Sequence, residues 1–286
     1  MDPDDRLVVG PARSGTTLVC SLLNRVSGVV ALDEPYEREA LAHLATDELV
    51  PFVASELERQ RRLITEQGRA ESTIAVSTLG NHYDPSSDGR AGARRRVVAL
   101  GSIEISESNV DELTLVVKHT IPFTCHLGSL AERWPMFGVV RNPLSILASW
   151  SSIDASYRSG RIPEYVHHHV PGVVESLETI TDPVARQVEL LSWHFAQFEP
   201  LASMGSVLRY EDIIASGGSN LELVAGRPVV PDPDLVSRNA NPLYDAERAL
   251  RLTDALMATT SPIWDHYTVA EVTAVFDEMR TPPPQS

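Results

Sequence analysis

The chain of 286 residues is long enough for one large α/β domain or two small ones, and its 43% hydrophobic content allows a sizeable buried core. A formal net charge of −15 excludes general nucleic-acid binding, which needs a basic surface, and requires any site for an anionic ligand to be made positive locally. Two cysteines (Cys20 and Cys125), an acidic opening MDPDDRLVVG unlike a signal or transit peptide, and no apolar run of membrane-spanning length lead to the expectation of a cytoplasmic protein with no membrane span.

Leu7 to Val9 read as a short strand, apolar on both faces and therefore central. A helix follows from Ser14 to about Val26, with Leu18, Leu22 and Val26 on one stripe. The chain turns near Gly28, offers a second short strand and stops at Pro35. Residues 37–67 have helical spacing, with Pro51 as the expected break. Residues 68–112, containing GNHYDPSSDGRAGARRR, show no period and predict a long loop or lid on the acceptor side.

Strands are predicted at 113–118 (LTLVVK), 136–141 (MFGVVR) and 206–210 (SVLRY). Pro143 opens a helix at a favoured first-turn position. Residues 156–172 read as irregular, 173–203 as helical with a turn near Thr181-Asp182-Pro183, and 245–258 and 269–279 as helices before a fraying TPPPQS. Strands alternating with helices imply an α/β fold: one domain over 1–286, with a P-loop-like parallel sheet flanked by helices on both faces. In such sheets ligands bind outside the carboxyl ends of the strands.

The stretch LVVGPARSGTTLVCSLL (7–23) joins a strand, a Gly-punctuated turn and a helix. Gly10 and Gly15 let the backbone turn tightly, and the free amides and dipole at the helix start attract an anion. Ser14, Thr16 and Thr17 add hydroxyl donors, and Arg13 adds a planar cation suited to two oxygens of a phosphate or sulfate. Read alone, the stretch serves equally as a capped turn. Thr16 stands where a nucleotide-hydrolysing loop carries lysine, which argues against a magnesium-dependent kinase or hydrolase.

A second anchor lies in FGVVRNPLSILASW: Arg141 ends a strand, and Ser149 sits about two turns into the next helix. Arginine plus hydroxyl suits a second phosphate, although singly Arg141 reads as a structural ion-pair partner and Ser149 as helix filler. Together, GPARSGTT and RNPLSILAS resemble the two nucleotide-binding signatures of the sulfotransferases that use 3′-phosphoadenosine 5′-phosphosulfate (PAPS) and release PAP. The resemblance runs in order from residue 7 to about 215, reaching VLRYEDI.

It implies that Arg13, Ser14, Gly15, Thr16 and Thr17 hold the 5′-phosphosulfate, that Arg141 and Ser149 hold the 3′-phosphate, and that Tyr210 neighbours the adenine; read on its own, Tyr210 serves equally as a core tyrosine. Arginine at 13 is similar to the tyrosylprotein, carbohydrate and many bacterial members; the steroid- and phenol-type branch usually has lysine. The basic glycine motif of that branch is absent, with Arg238 a weak substitute. The resemblance further implies that Glu34, in LDEPYE, is the base and that Lys118, at a strand end, stabilises the bridging oxygen. Read on its own, Glu34 belongs to a solvated acidic cluster with Asp33 and Glu37, whereas burial would raise its pKa toward a working base. His119, in KHTIP, is one residue short of the histidine position of the steroid-type branch, where Thr120 stands; it ranks below Glu34. Arg94 to Arg96 read as a solvated run, with contact to an acidic acceptor as the alternative, and His167 to His169 as a surface loop with no metal-ligand spacing, with a place in the lining of the acceptor pocket as the alternative.

The implied activity is sulfuryl transfer to a hydroxyl of a small-molecule acceptor (a glycan, lipid or secondary metabolite), with no metal. An atypical P-loop nucleotide kinase or hydrolase and a non-catalytic nucleotide-binding protein are the competing readings. Oligomeric state is not legible.

Overall fold

The computed structural model describes residues 4–75, 83–84, 94–106 and 112–281. The strands are β1 (Asp5–Val9), β2 (Val29–Asp33), β3 (Arg69–Ala75), β4 (Tyr83–Asp84), β5 (Arg95–Arg96), β6 (Val98–Glu104), β7 (Thr114–Lys118), β8 (Met136–Val140) and β9 (Val207–Arg209). The helices are α1 (Thr16–Leu23), α2 (Arg38–His43), α3 (Leu49–Gln67), α4 (Ile121–Cys125), α5 (Leu127–Ala131), α6 (Pro143–Ser151), α7 (Pro171–Thr179), α8 (Pro183–Gln197), α9 (Glu199–Ser203), α10 (Tyr210–Ala215), α11 (Glu222–Ala225), α12 (Ala246–Met257) and α13 (Val269–Arg280).

Five strands form one parallel sheet in the order β2-β7-β1-β8-β9. Every residue of β2, β7 and β8 is buried, as strands covered on both faces must be. Successive side chains point to opposite faces and enter two different cores. Leu7, Val30, Leu32, Leu115 and Val117 join the larger core with α3, α6, α8, α12 and α13. Val8, Val29, Ala31 and Val116 join the smaller one with α1, α10 and α11. From β1 the chain visits β2 and β7 on one side, then crosses to β8 and β9 on the other. This reversal opens a crevice at the carboxyl end of β1.

Three local expectations are corrected. Pro51 does not break the helix over 37–67: it sits in the first turn of α3, where a missing amide costs nothing, and the break falls before Leu49. The span 68–112 is not simply irregular. β3 and β6 pair antiparallel from Arg69↔Glu104 to Ala75↔Val98, and β4 pairs with β5. The β3–β6 ribbon is tied to the end of β2, since Ser72 Oγ accepts from the Asp33 amide (3.0 Å) and Thr73 Oγ1 donates to the Glu34 carbonyl (2.9 Å). Residues 156–172 contain short 3-10 turns at Ser156–Ser159 and Glu164–His169. The rest of the expected loop (76–82, 85–93 and 107–111) and the tail at 282–286 lie outside the described residues.

Candidate active site

A cavity of about 660 Å³ fills the crevice. All five parallel strands deliver residues to it from just beyond their carboxyl ends or at them: Arg13, Gly15, Thr16 and Thr17 after β1, Glu34 after β2, Lys118 and Thr120 at β7, Arg141 after β8, and Tyr210 after β9. Asp234, Arg238 and Tyr244 line it from the chain beyond α11, and Tyr83, Arg94 and Arg96 from the β4–β5 region.

The loop between β1 and α1 is tightly constrained. Arg13 (φ 74°) and Gly15 (φ 104°) both take left-handed backbone conformations. A Cβ at Gly15 would lie 2.7 Å from Tyr210 Cδ2, so only glycine lets the loop rest on that ring. Trp150 Nε1 donates to the Ala12 carbonyl (2.7 Å), and Arg141 Nη1 donates to the Arg13 carbonyl (3.1 Å). Arg13 Nε donates to Ser149 Oγ (3.1 Å). A left-handed arginine costs conformational energy of order 1–3 kcal/mol, and these contacts hold it there.

Among the described residues seven cations line the cavity (Arg13, Arg38, Arg94, Arg96, Lys118, Arg141 and Arg238) against the carboxylates of Glu34 and Asp234. In a chain of net charge −15 this is a marked local inversion. Arg13, Arg94 and Arg141 have no carboxylate partner among the described residues. Burial lowers the pKa of Arg13 and of Arg94, but an arginine does not lose its proton in a protein. Arg141 is aimed by Asn239 Oδ1 (2.8 Å) and by the carbonyls of Arg13 and Arg238, and its guanidinium lies 4.6 Å from the Tyr210 ring centroid. The Tyr210 hydroxyl in turn accepts from the Arg238 amide (3.0 Å).

Glu34 also has a left-handed backbone (φ 44°), fixed by its amide donating to the Lys118 carbonyl (2.8 Å). Its Oε1 accepts from Lys118 Nζ (3.1 Å) and Thr120 Oγ1 (3.2 Å), and its Oε2 from Arg96 (3.0 Å). Lys118, 2% exposed, also contacts Asp33 Oδ1 at 2.6 Å. Burial pushes the Glu34 pKa up, but Lys118 and Arg96 overcome it and hold the group well below the usual carboxylate range. The expectation that burial raises this carboxylate toward a neutral working pH therefore does not hold against these cations. Burial lowers the Lys118 pKa and the two carboxylates outweigh it, so the ammonium is held charged. His119 is 2% exposed, stacked on Tyr36, with its pKa lowered to about 4 mainly by burial.

The structure brings Arg13, Gly15, Thr16, Thr17, Glu34, Lys118, Arg141 and Tyr210 to one cavity. Three other expected site residues lie elsewhere. Ser149 is fully buried in α6 and faces Arg13 rather than the cavity. Ser14 is also fully buried, with an unpartnered Oγ beside Gly10. His119 lines a second, smaller cavity with Glu34.

Sequence reasoning missed Asp33, Thr120 and Asn239. Of the two readings of Arg94 to Arg96, the solvated one holds for Arg95 alone: strand alternation turns Arg94 and Arg96 toward the cavity and leaves Arg95 exposed. The His run is structural: His169 Nδ1 meets His126 Nε2 (2.9 Å), and His167 and His168 contact the carbonyls of Ile162 and Leu44. No metal-binding cluster occurs among the described residues. Cys20 and Cys125 are free. No described helix is long and apolar enough to cross a membrane.

No family model matches the chain, and no curated protein matches it. Among solved structures it is similar to the sulfotransferase domain from the Synechococcus PCC 7002 olefin synthase. That match has 14% sequence identity and a TM-score of 0.41, and it covers 100% of this chain and 90% of that one.

Proposed function

We propose that this protein is a PAPS-dependent sulfotransferase acting on a hydroxyl of a small-molecule acceptor. The observation that carries the reading is the seven-cation crevice at the ends of all five parallel strands, set in an acidic chain. A donor with two separated anionic ends suits this lining, and the volume lies within the usual ~300–1,000 Å³ of small-molecule sites. The partner set also fits: Arg13 and Arg141 both line the cavity without a carboxylate, and the first-turn amides of α1 have no acceptor within the helix.

The donor, when bound, supplies a sulfur whose bond to the phosphate oxygen breaks as the bond to the acceptor oxygen forms. Glu34 takes the proton of the acceptor hydroxyl. Lys118 and Arg13 receive the negative charge left on the phosphate oxygen. The low basicity of Glu34 is what its contacts with Lys118 and Arg96 impose. An anionic oxygen arriving at Nζ competes with Glu34 for the ammonium, and each hydrogen bond Glu34 gives up makes it a stronger base. Asp33, at 2.6 Å, keeps Lys118 charged and in place during that exchange. Thr120, hydrogen-bonded to the same Oε1, orients the carboxylate.

The test is release of PAP from PAPS, followed by chromatography, with a panel of alcohols. The reading requires PAP release that depends on alcohol and that Glu34→Gln abolishes. Release of phosphate from ATP in the presence of magnesium, with none of PAP from PAPS, would replace it with a nucleotide hydrolase.

A further inference from the structure

We propose that Glu211 and Asn239 are positioning residues for Arg141: Glu211 orients the Asn239 amide, and that amide holds the guanidinium with two N–H groups left over for an anion. The inference rests on the sulfotransferase reading only for the identity of that anion. Neither residue lines a cavity, so each acts through Arg141.

The chain of contacts starts in the stretch VLRYEDI. Glu211, in the first turn of α10, accepts from three uncharged donors: the Asn142 amide (2.9 Å), Asn239 Nδ2 (2.8 Å) and the Tyr267 hydroxyl (2.8 Å). Asn239 is 5% exposed, and its Oδ1 accepts from Arg141 Nε at 2.8 Å. The charges on either side fix the amide. A carboxylate only accepts and a guanidinium only donates, so the amide nitrogen must face Glu211 and the amide oxygen Arg141. A flipped amide would set donor against donor and acceptor against acceptor. Glu211 also grips the backbone immediately after Arg141, through Asn142. The Asn239 carbonyl accepts from Ser145 Oγ (3.1 Å) in the first turn of α6, which seats the segment carrying Asn239.

This relay holds Arg141 firmly and still leaves its charge available. A guanidinium has five N–H groups. Nε donates to Asn239, Nη1 to the Arg13 carbonyl and Nη2 to the Arg238 carbonyl, while Tyr210 covers one face. One N–H remains on each Nη, and such a pair can serve two oxygens of one phosphate. All three acceptors are uncharged. A carboxylate in the place of Asn239 would form an ion pair with Arg141 and oppose an arriving anion. The interposed amide passes on the orienting effect of Glu211 and keeps its charge one residue away from the cation.

The experiment uses the full chain. The Arg141 Nε–Hε resonance, assigned with Arg141→Lys, reads the hold without any ligand. Its proton is expected to exchange with solvent at least about tenfold faster in Asn239→Ala and in Glu211→Ala. Glu211→Gln, which keeps an oxygen for the Asn239 amide, should restore slow exchange. Calorimetry with PAP reads the consequence. Asn239→Ala and Glu211→Ala should each weaken PAP roughly fivefold to tenfold, and Glu211→Gln by no more than about twofold. Asn239→Ala should add nothing once Arg141→Ala is present. Asn239→Asp, which keeps the side-chain shape but sets a carboxylate against Arg141, should weaken PAP at least about tenfold. An Arg141 resonance indifferent to both alanine variants, a PAP affinity that neither Asn239 variant changes, or an Asn239→Ala loss that is equal with and without Arg141 overturns the positioning role. Arg141 signals that respond as expected in a protein that binds no PAP support the positioning role and overturn the donor reading alone.

Discussion

Replacing Ser149 with alanine separates two roles for this hydroxyl. The resemblance makes Ser149 a ligand of the 3′-phosphate; the structure buries it completely and has it accept from Arg13 Nε at 3.1 Å. A hydrogen bond to a charged donor contributes roughly 1.5–3 kcal/mol, and the 3.1 Å length places this one toward the lower figure. Only the part that aims Arg13 reaches the ligand, so about a tenfold loss of nucleotide affinity is expected. The assay is calorimetric titration with PAP and with adenosine 5′-monophosphate, which lacks the 3′-phosphate. Loss of aim at Arg13 weakens both by the same factor, and Ser149→Ala adds nothing once Arg13→Ala is present. A Ser149→Ala protein that loses PAP affinity but keeps that of the monophosphate would refute this reasoning.

Glu34→Gln keeps a hydrogen-bond acceptor for Lys118 but removes the proposed base; turnover should fall roughly 10²–10⁴-fold while calorimetric PAP affinity is kept or improved. Lys118→Met leaves Asp33 and Glu34 buried without their ammonium. A cost of about 3–5 kcal/mol follows, seen as a melting temperature lowered by roughly 6–20 °C. Gly15→Ala forces a Cβ to within 2.7 Å of the Tyr210 ring at φ 104°, so PAP affinity should collapse while the circular dichroism spectrum is retained. Acid should destabilise the fold in two stages. His119 (about 4) and His194 (about 3) stay neutral when folded, so each loses about 1.4 kcal/mol of stability per pH unit as pH falls below the unfolded value near 6.5, down to its folded pKa. Glu34 is depressed, so its contribution is complete above the unfolded carboxylate range and is lost below it. A urea midpoint that is flat from pH 7 to 5 would contradict the first stage.

The sheet was legible because β2, β7 and β8 are short and apolar on both faces, and because four of the five strands end on or lead into a residue with chemistry: Arg13, Glu34, Lys118 and Arg141. The β3–β6 ribbon was not legible. β6 is largely solvent-facing, and over residues 69–74 β3 buries only the small side chains of Ala70 and Ser72, so neither strand shows an apolar alternation in the sequence. Ser149 has the spacing of a phosphate clamp, but which side of α6 meets the cavity is decided by packing that no spacing encodes. The pKa of Glu34 depended on Lys118, 84 residues away in sequence, and on an arginine run whose inward alternation only strand pairing shows.

The most direct measurement is a calorimetric titration of the unmodified protein with PAP, with magnesium and again with a chelator. Expected is one site per chain with a Kd of roughly 100 μM or tighter, unchanged by the chelator and weakened at least about tenfold by Arg141→Ala. No heat with PAP, together with magnesium-dependent binding of ATP, would contradict a crevice built for a doubly anionic sulfuryl donor.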